Sequence, residues 1–288
     1  MRFHYAESMT PIANLLPLAK EVEDHGYAGY MIPDSLFYPA ESDTKYAYTA
    51  DGDRRFLENK PFVESFILAS AMGAITKRIE LTTFVVKLPV RQPVYAAKLA
   101  TSVAALTNNR FNFGVGLSVW PEDYEFLGVP YEHRGRRLDE CIEIVKNLAR
   151  GGYYEHKGEF YQFEALKMNP IPTKPLPIMI GGHADAALKR AARHDGWLHA
   201  GGGDLDDMLK RLAGYRAEAG TTNKPFRIFA ASLDGFSLDG VKRLEDKGVT
   251  DVVVGFRNSY AMEEDTQPLQ DKIAALRGFA DAVISKAG

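Results

Sequence analysis

Short apolar runs alternate with amphipathic stretches along almost the whole chain. Eight of the runs have the length of buried strands, and they cover residues 2–5, 27–32, 79–86, 110–116, 178–180, 196–199, 226–231 and 251–254. Strands that alternate with helices are typical of βα units around a parallel sheet. Because a closed barrel of this kind requires eight such units, the pattern predicts a TIM-like (β/α)8 barrel.

The stretches between the strands place apolar residues at helical spacing, so each predicted helix has one face to bury against the barrel. The clearest stripes are Ile12, Leu15, Leu16, Ala19 and Val22, then Phe62, Phe66, Ala69 and Gly73, and the last predicted helix, residues 269–284. No repeat, low-complexity tract or linker divides the sequence. At 288 residues the chain has a length that is common for one barrel, and we expect a single domain over residues 1–288.

Residues 36–60, which follow the second predicted strand, interrupt the alternation with a polar and tyrosine-rich segment. A connection of this length is often a lid or a binding loop. Since it leaves the carboxyl end of a strand, it should cover the mouth of the barrel, where active sites lie. We expect Tyr38, Tyr46, Tyr48 and Arg54 to face the substrate from this lid. A surface excursion or a dimer contact is the alternative.

Residues 151–177 form a second irregular segment, rich in aromatic residues and proline. We expect a short hairpin that packs across the barrel, with its aromatic side chains in the core rather than in a site.

Composition narrows the class of protein. Hydrophobic residues make up 45% of the chain and charged residues 25%, with a net charge of -3, which is typical of a soluble globular protein without affinity for nucleic acid. No signal-peptide pattern is present, and no apolar run approaches the ~20 residues of a membrane span. The lone cysteine, Cys141, has helical spacing to apolar neighbours and is predicted to be a core residue. We expect a cytoplasmic protein.

Two strand-to-helix junctions are the best candidates for a binding site. In the first, an apolar strand ends in Gly181 and Gly182 just before an alanine-rich helix, which suits a phosphate group. In the second, a β-branched strand over residues 81–89 runs towards Arg91 and another helix. Two junctions on separate βα units predict one site assembled from several strand ends.

Several other polar residues at strand ends are candidates. His199 follows the sixth strand. We expect it either to contact substrate or cofactor or to be a hydrogen-bonded residue at the rim of the barrel. Lys87 is predicted to face solvent or to steer a phosphate, with a Schiff-base aldolase as the rival enzyme class. Arg91 and Arg257 could pair with an anionic cofactor tail or form surface salt bridges. The histidines and the cysteine lack metal-ligand spacing, so no metal site is expected.

The order of several sequence blocks resembles the luciferase-like family of flavin and deazaflavin (coenzyme F420) oxidoreductases. The most specific blocks are residues 78–83, 91–93 with Lys98, 109–116, 126–131 with 134–137, and 177–182 with 191–197. The resemblance covers nearly the whole chain, and the fold that it implies is the TIM-like barrel reached independently from the strand count.

The resemblance implies positions for the cofactor. A non-proline peptide bond, often cis, supports the central face of the ring in this family, and the matching bond is Phe84–Val85. The phosphate is expected on Gly181, Gly182 and the N–H of His183, with Asp34 near the cofactor. Thr83, Gly116 and Trp120 complete the expected cofactor contacts.

Two departures from the family pattern bear on the chemistry. Members that act on sugar phosphates or alcohols commonly place a histidine directly after the acidic residue that Asp34 matches, where this chain has Ser35. They also commonly place a glutamate after the fourth strand, where residues 117–120 of this chain contain none. These departures argue against an alcohol dehydrogenase with a His/Glu pair and leave the proton donor open, with Asp34 and His199 as candidates.

The resemblance therefore implies an oxidoreductase that transfers hydride between a flavin-like cofactor, with F420 favoured, and an unknown small molecule. An FMN-dependent monooxygenase is the first alternative, and a non-catalytic F420- or flavin-binding protein is the second. A homodimer is expected from the family.

Overall fold

The computed structural model of this chain describes residues 1–46, 49 and 51–287. All eight predicted strands are present, and they close into one parallel barrel in chain order. The strands of the described residues are β1 (Arg2–Ala6), β2 (Gly29–Ile32), β3 (Glu80–Thr83), β4 (Val86–Lys87), β5 (Phe111–Gly116), β6 (Tyr153–Lys157), β7 (Gln162–Lys167), β8 (Ile178–Gly181), β9 (Gly196–His199), β10 (Arg227–Ala231) and β11 (Asp251–Val254), and all but β6 and β7 belong to the barrel. The short β4 continues β3 after an interruption, and the pairing of β3 with β5 closes the ring.

Helices surround the barrel, as the apolar stripes predicted. They are α1 (Ile12–Asp24), α2 (Ser65–Ile75), α3 (Pro93–Leu106), α4 (Pro121–Phe126), α5 (Arg134–Ala149), α6 (Asp185–Ala191), α7 (Leu205–Glu218), α8 (Leu238–Asp246) and α9 (Leu269–Ala282), with short 3₁₀ turns at Arg55–Leu57, Leu88–Val90, Leu233–Phe236 and Ile284–Lys286. The prediction was wrong for Phe62, which precedes α2 and lines the mouth of the barrel instead of the helix interface. The division into a single domain stays a prediction.

Strands β6 and β7 form the expected hairpin outside the barrel. The carboxylate of Glu140 on α5 holds it by accepting hydrogen bonds from His156 and from the main-chain N–H groups of Phe160 and Tyr161. The expectation of core aromatics is wrong for Tyr153, which is 80% exposed. Cys141 is fully buried beside this hairpin, and burial raises the pKa of its thiol to about 12, so the prediction of a core cysteine is confirmed.

The barrel interior has a charged layer at the amino-terminal end of the strands. The buried carboxylate of Asp251 accepts from His4 Nε2 at 2.7 Å and from Arg227 Nη2 at 2.5 Å. Arg227 also pairs with Glu80 at 2.9 Å. Burial opposes ionisation of Asp251, but the hydrogen bonds from His4 and Arg227 outweigh it and hold its pKa well below the usual range.

An apolar layer lies above these charges, towards the carboxyl ends of the strands. It is formed by Met31, Met179, Leu198, Phe229 and Val253. Since a charged layer and then an apolar layer fill the barrel, the remaining space lies above them at the mouth.

Asp251→Asn is expected to reduce the free energy of unfolding by about 3–5 kcal/mol near neutral pH, because the half-buried Arg227 and the buried His4 lose their carboxylate partner. The stability that the ionised carboxylate contributes is fully present above its unfolded pKa of about 3.9 and is lost as the pH falls from there towards the lower folded pKa. The variant should therefore lose less stability on acidification than the wild type. Urea unfolding over a pH series measures both effects. Asp246→Asn is the control, since Asp246 is 69% exposed and should change stability by less than about 1 kcal/mol. Equal effects of the two substitutions would contradict the structural role of Asp251.

Candidate active site

A cavity of about 440 Å³ opens at the carboxyl-terminal mouth of the barrel. Its floor is apolar and is made by Met31, Val85, Leu198 and Val253, while the loops that follow the strands form its walls. The volume falls within the range of small-molecule sites, and this end of a barrel is where such sites lie. The cavity can therefore take a flat, largely apolar ligand with polar groups at its edges.

The third barrel strand is interrupted at this floor. Strand β3 ends at Thr83, β4 begins at Val86, and the Phe84–Val85 bond between them is cis, as the resemblance implied. Phe84 and Val85 both line the cavity. The bulge needs Gly114 opposite it, because a Cβ there would lie 1.8 Å from the Thr83 carbonyl oxygen.

Two other predicted cofactor residues lie behind the bulge rather than in the cavity wall. Thr83 is fully buried, and its hydroxyl donates to the Gly114 carbonyl at 2.8 Å. A Cβ on Gly116 would lie 2.7 Å from Val85 Cγ2, so this glycine makes room for the Val85 side chain. Gly116 thus leaves space for Val85, while Thr83 ties the end of β3 to β5.

Asp34, a candidate for both cofactor binding and catalysis, lies in the cavity wall at the end of β2. Its carboxylate accepts from Arg91 Nη1 and Nη2 at 3.0 and 2.8 Å, from the Lys87 main-chain N–H at 3.0 Å and from Ser65 Oγ at 3.0 Å. The side chain is 1% exposed. Arg91 therefore forms its ion pair with Asp34 inside the protein and not at the surface. Its predicted contact with a cofactor tail stays a prediction.

Lys87 does not face solvent, so the first of the two roles predicted for it is wrong, while phosphate steering stays a prediction. It is 9% exposed, and its ammonium pairs with Asp123 Oδ2 at 2.6 Å. Ser118 Oγ donates to the same carboxylate oxygen at 2.5 Å. Ser118 also accepts from the main-chain N–H of Trp120 at 3.1 Å. Sequence reasoning missed this cluster because Asp123 lies in α4, 36 positions from Lys87.

On the opposite wall, Arg257 follows β11 and pairs with Glu7, which follows β1. Arg257 Nη2 donates to Glu7 Oε1 at 2.9 Å and to the Ser8 carbonyl at 2.5 Å. Tyr5 donates its hydroxyl to the other Glu7 oxygen at 2.8 Å, and burial together with Glu7 raises the pKa of Tyr5. Arg257 Nε also lies 3.5 Å from Asp265 Oδ2, so two carboxylates face this guanidinium. Within the described residues no acceptor contacts Arg257 Nη1, which leaves this group for an acceptor on a ligand.

The predicted phosphate site follows β8. Gly181 and Gly182 line the cavity, and Trp197 Nε1 donates to the Gly182 carbonyl at 2.9 Å. Gly182 has φ +116°, a conformation that favours glycine. The predicted helix after the glycines is α6, which begins at Asp185. Phosphate binding here stays a prediction.

His183 and His199 stack on each other beside this loop, with ring centroids 4.7 Å apart. Burial and then His199 lower the pKa of His183 to about 4, and burial lowers the pKa of His199 as well. His199 Nε2–H donates to the Gly202 carbonyl at 2.9 Å, and Nδ1 accepts from the Gly201 N–H at 3.4 Å. His199 lines a side depression of about 480 Å³ next to the main cavity. Its bonds are those of the hydrogen-bonded rim residue that was one of the two alternatives.

The predicted lid contacts the loop after β5. Arg54 lies over the Trp120 ring at 4.1 Å and over the Tyr38 ring at 5.4 Å. Tyr46 stacks on Trp120 with centroids 5.4 Å apart and planes at 15°, and it lines the cavity. Tyr48, also predicted for the lid, lies outside the described residues.

The lid also touches the loop after β11. Phe56 and Tyr46 contact the ring of Tyr260 at 5.3 and 5.9 Å. Tyr260 lines the cavity but was not predicted, because its segment has no pattern of its own. Within the described residues, no group of His, Cys, Asp and Glu could hold a metal ion, and no helix is long and apolar enough to span a bilayer.

Similarity to known proteins extends over almost the whole chain. Residues 2–233 match the family described as luciferase-like monooxygenase. An uncharacterized protein of Mycobacterium tuberculosis is 57% identical over 288 residues, which are 99% of this chain and 100% of the relative. The monooxygenase RslO1 from Streptomyces bottropensis superposes with a TM-score of 0.76 at 15% identity, over 100% of both chains. The coenzyme F420-dependent tetrahydromethanopterin reductase from Methanopyrus kandleri has a TM-score of 0.75 at 14% identity, over 100% of this chain and 99% of that one.

Eight parallel strands with an apolar-floored cavity at their carboxyl ends define a TIM-like barrel with a mouth that can bind a small molecule. With a match that extends over most of its length, the chain belongs to the luciferase-like monooxygenase family. The resemblance stated from the sequence blocks is therefore confirmed.

The lowered pKa of His183 predicts how the stability of the protein depends on pH. Because the folded value of about 4 lies below the unfolded value of about 6.5, the stability due to neutral His183 is present above pH 6.5 and is lost as the pH falls towards 4. His183→Gln should therefore reduce the difference in unfolding free energy between about pH 8 and about pH 5. Urea unfolding of both proteins at the two pH values measures it. The same pH dependence in both proteins would show that His183 is not buried as described.

Proposed function

We propose that this protein is an oxidoreductase that binds a flavin-type cofactor at the barrel mouth, with coenzyme F420 favoured over FMN, and transfers hydride between the cofactor and a small molecule. The observation that carries the proposal is the cavity with its apolar floor of Met31, Val85, Leu198 and Val253. A planar ring system needs an apolar surface for its face and a few polar groups at its edge, and both are present.

The residues around the cavity fit such a group. Lys87 and Arg257 line the cavity at the ends of the third and the eighth barrel strands, and within the described residues each keeps N–H groups that no protein acceptor occupies. The glycines at 181 and 182 leave main chain open to the ligand, and a Cβ on Gly181 would already lie 2.8 Å from Val85 Cγ1. We assign the ring to the floor and the anionic tail to residues 181–183 or to Arg257.

The cofactor supplies the hydride chemistry when bound, while the protein supplies orientation and electrostatics. Val85 and Leu198 would fix the ring face, and the stack of Tyr46 on Trp120 would cover the substrate and exclude water. The ring of His199 is held by two main-chain hydrogen bonds, and the carboxylate of Asp34 by four donors, so we give both residues positioning roles.

An FMN-dependent monooxygenase is the second candidate. One observation favours it. Ser35 and Leu117 line the cavity at the two positions where an acid–base pair for alcohol oxidation would be expected, and neither side chain can act as an acid or a base. The likeness to RslO1 and to the F420-dependent reductase supports both candidates through the fold alone. A homodimer and a cytoplasmic location remain predictions.

Equilibrium binding of F420 and of FMN to the purified protein, measured in parallel, separates the candidates. Trp120 stacks under the lid and Trp197 binds the Gly182 carbonyl, so tryptophan fluorescence should fall when the cavity fills. We expect saturable quenching with F420 at a Kd at least tenfold below that of FMN. A lower Kd for FMN would favour the monooxygenase, and binding of neither would contradict the proposed function.

Ala231→Leu tests whether the cofactor occupies this cavity. Ala231 lies at the end of β10 and lines the cavity, so a larger side chain should fill part of the space and weaken cofactor binding at least tenfold. This position is better suited than Gly182, where any side chain would strain the backbone. Ala217→Leu on the exposed face of α7 is the matched control and should leave the Kd unchanged. Equal Kd values for the two folded variants would place the cofactor elsewhere.

A further inference from the structure

Among the residues that the structure describes, four charged side chains line the central cavity: Glu7, Asp34, Lys87 and Arg257. The carboxylate of Asp34 accepts from four donors, and both oxygens of Glu7 are occupied by Tyr5 and Arg257. The ammonium of Lys87 has three N–H donors, and Asp123 is its single acceptor within the described part of the chain. Two donors of Lys87 therefore remain for a ligand.

Lys87 is held at both ends, which fixes where those donors point. Its main-chain N–H binds Asp34 at 3.0 Å, and its ammonium binds Asp123 at 2.6 Å. Asp123 is 2% exposed and is itself held by the hydroxyl of Ser118. A lysine normally has a flexible side chain, so this fixation favours a role that depends on position.

Lys87 also lies close to the predicted ring. It follows Val85 by two residues at the same strand end, and Val85 is part of the cavity floor. A charge at the edge of a flavin-type ring interacts more strongly with the reduced ring, which has gained electrons, than with the oxidised one.

We propose that the ammonium of Lys87 donates a hydrogen bond to a carbonyl oxygen of the cofactor ring and stabilises the negative charge that the ring gains on reduction. The inference rests on the proposed function and extends it to the residue that sets the reduction potential. Hydride passes between a C–H bond of the small molecule and the ring. When the ring gains the hydride, it takes up two electrons and one proton, and the small molecule is oxidised and releases a second proton to solvent. When the ring gives the hydride up, the small molecule is reduced and takes a proton from solvent. Lys87 keeps its protons, and Asp123 keeps the ammonium in place.

The midpoint potential of the bound cofactor tests the proposal without knowledge of the substrate. In Lys87→Met, the ratio of the Kd for oxidised cofactor to that for reduced cofactor should fall at least tenfold, which lowers a two-electron midpoint by about 30 mV. Asp123→Asn removes the opposing charge and should move the midpoint upwards. Loss of a merely structural ion pair would not shift the potential in opposite directions for the two variants.

Three further variants make the result decisive. Lys87→Arg keeps the charge and should keep most of the wild-type potential. The double variant Lys87→Met with Asp123→Asn leaves no unpaired buried charge, so it provides the same test if the single variant does not fold, and its midpoint should also lie below that of the wild type. Lys20→Met on the surface of α1 is the control, since Lys20 is 50% exposed, and its midpoint should not move.

Failure of this inference can be told from failure of the proposed function. If the wild type binds neither F420 nor FMN, the proposed function is wrong. If the cofactor binds and its potential is the same in wild type and folded Lys87→Met, the inference is wrong and the free donors of Lys87 do not face the ring. A Kd that rises equally for oxidised and reduced cofactor also overturns it, because the ammonium would then not respond to reduction.

Discussion

The geometry of the barrel mouth depends on the carboxylate of Asp34. It joins the end of β2 to the start of α2 through Ser65, to β4 through the Lys87 main chain, and to the loop before α3 through Arg91. An ionised group with 1% exposure is stable in the fold only when such donors replace water. Since β4 starts immediately after the bulge, this interaction also fixes where Phe84 and Val85 stand.

The other charges at the mouth follow the same rule of pairing. Arg257 is paired with Glu7, and Lys87 with Asp123, so the cavity wall is close to neutral despite its many ionisable groups. A wall of this kind gives little attraction to anions in general. It suits a ligand that presents acceptors at defined positions, which is how a preformed site selects its ligand by hydrogen-bond geometry.

The sequence predicted the barrel well because strand and helix patterns are local. Each strand is a short apolar run, and eight of them allow few arrangements other than closure. The bond at Phe84–Val85 could be placed only through the family resemblance, since spacing alone favours ordinary core residues there. The partners of Lys87 and Arg91 could not be predicted, because these pairs join residues 36 and 57 positions apart and depend on how the loops pack over the strand ends.

The fold does not decide between reductase and monooxygenase, since proteins named for each superpose on the whole chain with nearly the same score. The difference must come from side chains above the floor and from how well the lid excludes solvent. In this chain the lid is held by Arg54 over Trp120 and by Tyr46 stacked on the same ring. A covered mouth protects a reduced ring from solvent, and a lysine at the ring edge would favour the reduced form thermodynamically. Both features suit a protein that holds a reduced cofactor until its substrate arrives, and this requirement is common to the two reaction classes.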